Sequence, residues 1–141
     1  MENKNMKPWL IAVFLLSFNS CVIQPLTVPN NRDFTSFEVS VFENGELVEE
    51  YEIKKEDSLF GEILEVARQE GERDWFPASY APNVLVMSQE PYLRLNFSED
   101  SVVVSLYSQS GGNFDQKIVW LDRKELFESL KAGPNYKNYD W

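Results

Sequence analysis

The dipeptide Asn44-Gly45 constrains the fold of this chain more than any other feature. Before it, Phe37, Val39 and Val41 alternate with Glu38, Ser40 and Phe42; after it, the run Leu47 to Ile53 sets Leu47, Tyr51 and Ile53 on one side. A repeat of two marks a strand with one buried face. Asn-Gly between two such runs closes a tight hairpin, because both turn residues must take positive φ. The chain is therefore committed to antiparallel β-structure from its first folded element.

The segments that follow extend this pattern. Asp57 or Ser58 is placed to cap a helix whose apolar residues Leu59, Phe60, Ile63, Leu64 and Ala67 form one stripe, with Gly71 as its C-terminal stop. A loop containing Trp75, Phe76, Pro77 and Pro82 leads to four β-branched or aromatic runs: Val84 to Met87, Tyr92 to Phe97, Val102 to Tyr107 and Lys117 to Leu121. Their separators, Gln-Glu-Pro, Ser-Glu-Asp-Ser and Gln-Ser-Gly-Gly-Asn, are turn chemistry, and gaps this short join antiparallel neighbours. Asp122 and Glu125 have capping-box spacing before a short helix with Leu126, Phe127 and Leu130 inward, ended by Gly133-Pro134. The expected order is ββαββββα, an α+β single domain with an antiparallel sheet of about six strands and its helices on one face. At 43% hydrophobic and 14% aromatic residues, the chain carries enough apolar surface for one such core.

The N-terminus reads as an address and not as part of this fold. Lys4 and Lys7 precede Pro8 to Phe18, an almost wholly apolar run. Eleven helical residues reach only about 16 Å, roughly half a bilayer's hydrocarbon core. Basic residues, a short apolar stretch and then small polar residues are the layout of an export signal. Phe18-Asn19-Ser20-Cys21 resembles the lipobox of bacterial lipoproteins, in which a small residue precedes a Cys that is acylated and begins the mature chain. Here Phe18 and Asn19 stand where that family usually has Leu and then Ala or Ser. The resemblance covers residues 1–21 and implies a signal peptide over 1–20 and a lipidated Cys21. Val22, where Asp would retain a lipoprotein of enteric-type bacteria in the inner membrane, points to the outer membrane. Residues 21–33 then form the lipidated Cys and an extended tether, 34–133 the globular domain, and 134–141 an aromatic tail with Tyr136, Tyr139 and Trp141.

Composition excludes much chemistry. With no His and one Cys, the chain has no imidazole base or ligand, no internal disulfide and no Cys₄ zinc site. Glu56/Asp57 and Glu99/Asp100 are adjacent carboxylates of the kind that cap turns, and neither matches a calcium loop. Gly111-Gly112 opens no helix, so it reads as a hairpin loop and not as a phosphate cradle. No cofactor, metal or catalytic residue is expected.

The charge is uneven. The chain carries a net charge of −10, and residues 43–72 hold eleven acids against Lys54, Lys55 and Arg68. Such a field repels nucleic-acid phosphates and steers cationic partners inward. Glu49, Glu50, Glu52, Glu62 and Glu65 are therefore either a solubilising face or a docking face for a basic protein. Trp75, Phe76 and Tyr80 on the proline-bearing loop serve either as a lid over the core or as binding anchors. The expected protein is a small acidic envelope lipoprotein, periplasm-facing, that binds protein and does not bind nucleic acid. It would serve as an immunity or inhibitor protein neutralising a periplasmic toxin or hydrolase, or alternatively as an assembly lipoprotein of an envelope complex. An enzyme running on carboxylates or Tyr, or a ligand carrier with a cavity between sheet and helices, are the minor alternatives.

Overall fold

A computed structural model of the chain describes residues 26–72, 82–107, 114–122 and 124–134. In chain order the elements are β1 (Ser36–Glu43), β2 (Glu46–Lys54), α1 (Ser58–Arg68), β3 (Val84–Ser88), β4 (Leu93–Phe97), β5 (Ser101–Tyr107), β6 (Phe114–Trp120) and α2 (Glu125–Lys131). The strands form one sheet ordered β2-β1-β3-β4-β5-β6, with every neighbouring pair antiparallel. The ββαββββα order read from the sequence is the observed one. β2 and β3 flank β1 and both run against it, so they are parallel to each other. A link between parallel strands must cross the sheet, and α1 provides that crossover.

One face of the sheet is closed. Phe37, Val39 and Val41 of β1 lie in register with Val86 and Val84 of β3, and these with Leu95 and Phe97 of β4. Val102, Val104 and Leu106 of β5 continue the layer. All are buried in one cluster with Leu59, Phe60, Ile63, Leu64, Val66 and Ala67 of α1 and Leu126, Phe127 and Leu130 of α2. Burying each such side chain contributes about 1.5–3 kcal/mol, so this layer is what stabilises the domain. Two side-chain bonds pin the helices to the edge strands. Tyr51 Oη on β2 donates to the Leu130 carbonyl at 2.5 Å, and Lys117 Nζ on β6 donates to the Gln69 carbonyl at 2.5 Å. A cation at the C-terminal end of α1 also complements the helix dipole.

The Asn44-Gly45 turn has φ of 53° and 82°, both positive as the hairpin requires. Beyond it the strand departs from strict alternation. Val41 pairs with Glu49 but Phe42 pairs with Leu47, so Val48 has no opposite residue. This bulge inverts the phase of β2. Leu47 consequently lies on the opposite face from Tyr51 and Ile53, half exposed, and does not join them as the alternation predicts.

The helix ends differ in detail from their sequence signals. Asp57 is the N-cap residue of α1, but its carboxylate accepts from the Lys54 backbone N–H at 3.0 Å, tightening the turn after β2 instead of capping the helix. α1 stops at Gln69, two residues before Gly71. Gly71 is needed for a different reason: a Cβ there would sit 2.4 Å from the Ile118 carbonyl oxygen, because the backbone at Glu72 pairs with β6 at Ile118. α2 opens at Lys124 and not at Asp122, since Leu121 N–H is still held by the Asp100 carbonyl and the chain leaves the sheet later than the capping-box spacing predicts. Gly133, at φ 68°, ends α2 as expected.

The segment read as an extended tether is docked from Leu26 onward. Leu26 and Val28 pack against the core, and Arg68 Nη2 at the end of α1 donates to the Pro29 carbonyl at 2.8 Å. Asn30 and Asp33 close a turn on each other, and Phe34 is fully buried against Phe37, which in turn meets Phe60. Cys21, expected to be acylated, the loop with Trp75, Phe76 and Tyr80, and the tail beyond Pro134 lie outside the described residues.

Candidate functional site: the open face of the sheet

The face of the sheet opposite the helices is ordered in rows that the register defines. One row crosses the strands as Glu52, Glu38, Met87, Arg94, Ser105 and Gln116. The next reads Glu50, Ser40, Leu85, Asn96, Val103 and Ile118. The two halves of this face have different chemistry.

Over β4, β5 and β6 the polar groups satisfy one another. Arg94 Nε donates to Asn96 Oδ1 at 3.1 Å, and Gln116 Nε2 donates to Ser105 Oγ at 3.1 Å. Asn96 and Ser105 are buried although they point to the open side. Over β2, β1 and β3 lies a groove of about 480 Å³ lined by Glu38, Ser40, Glu50, Glu52, Leu85 and Met87, with Val39 and Tyr51 completing it. Ser40 Oγ donates to Glu50 Oε1 in a long contact of 3.4 Å. Among the described residues none of these three carboxylates has a cation at ion-pair distance.

That arrangement is electrostatically incomplete. Glu38 and Glu52 are directly opposed across β1 and β2, a placement in which like charges disfavour each other. A cationic side chain would remove the repulsion, laying its aliphatic stem on Leu85 and Met87 and its head among the carboxylates.

The structure divides the sequence-read acidic residues among three places. Glu50 and Glu52 line the groove. Glu62 and Glu65 are exposed on α1, across the sheet from it. Glu49 faces the helix side half-buried, its carboxylate beside Gly133. Alternation alone could have added Glu38, because an even step from Ser40 puts both on the face opposite Val39; Leu85 and Met87 needed the pairing of β1 with β3.

The other carboxylate pairs are engaged locally. Glu99 forms a surface ion pair with Lys124, and Asp100 Oδ1 accepts from Ser101 Oγ at 3.1 Å. The hydrogen bond and attraction of Glu99 hold the Lys124 ammonium above its ordinary pKa. Among the described residues no three His, Cys, Asp or Glu side chains gather as a metal site, and no helix is long and apolar enough to cross a membrane. Compared with known protein families, curated proteins and solved structures, the chain matches none.

Proposed function

We propose that this chain is an envelope lipoprotein, anchored through acylated Cys21, that works by binding a protein with a basic surface. The observation that carries the binding reading is the groove over β2, β1 and β3, where Glu38, Glu50 and Glu52 stand beside the apolar Leu85 and Met87 and, among the described residues, have no cation at ion-pair distance. The anchor rests on the lipobox-like Phe18-Asn19-Ser20-Cys21, which holds the only thiol in the sequence. Within this class the reading is an immunity or inhibitor protein for a toxin or hydrolase that arrives in the periplasm. A lipid anchor concentrates the inhibitor at the membrane the attacker must pass, and an acidic groove speeds capture of a basic active-site region. The alternative within the class is an assembly lipoprotein of an envelope complex.

Two measurements test the proposal. Metabolic labelling with an alkyne fatty acid should tag the wild type and leave Cys21→Ser untagged. Capture from a periplasmic extract should recover a cationic protein with the wild type and with Glu62→Gln/Glu65→Gln, and lose it with Glu38→Gln/Glu50→Gln/Glu52→Gln. A toxin or hydrolase in that capture supports the inhibitor role, and a constitutive envelope component supports the assembly role. Equal capture by both variants refutes the groove as the binding site.

A further inference from the structure

The domain has two functionally distinct ends, and the docked segment fixes which of them meets the membrane. The chain joins the fold on the helix side. Arg68 at the last turn of α1 holds the Pro29 carbonyl, Leu26 and Val28 pack on the core, and Phe34 is wholly buried. That same end of α1 lies against β6: Gln69 accepts from Lys117, and Glu72 exchanges two backbone hydrogen bonds with Ile118, at 2.9 and 2.8 Å. The acidic groove is on the other face of the sheet and at its other edge, centred on β1. Four strand spacings separate β1 from β6, about 19 Å.

From this we infer that the domain presents the end of α1 and the docked Leu26–Pro29 segment to a phospholipid surface, with the acidic groove directed away from it. The inference rests on the proposed acylation of Cys21. If Cys21 is in the bilayer, only residues 22–25 lie between the anchor and the docked Leu26. That link spans at most about 14 Å, against about 40 Å for a tether free along all twelve residues of 22–33. A free tether lets the domain present any side; a short link to a point pinned on one side does not. The consequence is that the groove stays open to a soluble partner while the lipid holds the domain close.

The test uses the mature acylated protein in phosphatidylcholine vesicles that carry a headgroup-attached fluorescence quencher. Acylation consumes the native thiol, so a fluorophore can be placed uniquely at Glu70→Cys, just past α1, or at Glu50→Cys, in the groove. We expect both proteins to float with the vesicles and the label at position 70 to be quenched several-fold more than the label at 50. A flexible Gly-Ser spacer inserted after Pro25 should preserve flotation and erase that contrast. Flotation with equal or reversed quenching overturns the orientation and leaves the lipoprotein reading standing. A contrast that survives the spacer overturns the role of the docked segment. Failure to float overturns the anchor, and the orientation with it.

Discussion

Replacing either of two glycines by alanine is the same chemical change, yet the structure gives the two substitutions opposite signs. Gly71 has no positive φ to protect; its constraint is that an added Cβ would stand 2.4 Å from the Ile118 carbonyl oxygen and 3.0 Å from Val119 Cγ2. Backbone cannot step aside as a side-chain tip can, so Gly71→Ala must push the chain off β6 and break the two hydrogen bonds between Glu72 and Ile118. Each bond contributes about 0.5–1.5 kcal/mol net, and the reduced freedom of the unfolded chain returns about 0.4–1 kcal/mol, leaving a loss of about 1–2 kcal/mol. Gly61 lies inside α1 with nothing within 4 Å of the added atom. Gly61→Ala should therefore stabilise by up to about 1 kcal/mol through helix propensity alone. With a urea m-value of about 1–1.5 kcal/mol/M for a domain of this size, the two unfolding midpoints should lie about 2 M apart, with the parent between them. The Ile118 amide should exchange faster in Gly71→Ala only. A Gly71→Ala protein as stable as the parent would refute the steric argument and the pairing it rests on.

Other consequences can be checked in the same way. Tyr51→Phe removes the donor to the Leu130 carbonyl and should cost about 1 kcal/mol in urea unfolding, with the faster amide exchange confined to α2 and its neighbours. Lys117→Ala strips the buried amine from the Gln69 carbonyl at the end of α1 and should destabilise by about 1–3 kcal/mol; fraying of the last turn of α1 in hydrogen exchange is the specific sign. The Lys124 ammonium, held above its usual pKa by Glu99, contributes stability that is complete below the unfolded value of 10.5 and is lost as pH rises through the folded value. An NMR titration should show Lys124 deprotonating at lower pH in Glu99→Gln than in the wild type. Because both partners are largely exposed, 1 M salt should erase most of the difference. If the proposed basic partner binds the groove, Glu50→Gln/Glu52→Gln should slow association and flatten its salt dependence, whereas Glu62→Gln/Glu65→Gln should leave the dissociation rate and affinity nearly unchanged.

Local rules made most of the elements legible. Asn44-Gly45 demanded positive φ twice, the stripe from Leu59 to Ala67 could bury only as a helix, and Gly133 ended α2 for the reason its chemistry suggests. Each depends on residues close in the chain, so neighbours in sequence carried the information. The failures share a cause as well. The Val48 bulge, the late start of α2 and the true role of Gly71 are set by contacts with strands that the local sequence does not contain.

The same division runs through the candidate site. Composition and charge are properties of the sequence by itself: the excess of acids, the absence of His and the position of Cys21 held before any fold was known. Which acids stand together was decided only by tertiary structure. Glu38 and Glu52 are fourteen positions apart yet face each other because β1 and β2 pair in that register, and Leu85 and Met87 line the same groove because β3 returns beside β1 after the α1 crossover. Glu62 and Glu65, nearer to Glu52 in the chain, end up across the sheet from it, since a helix on the buried face turns its charged side the other way. Alternation decides which side of a strand a residue takes, but only the pairing of distant strands decides which residues share that side.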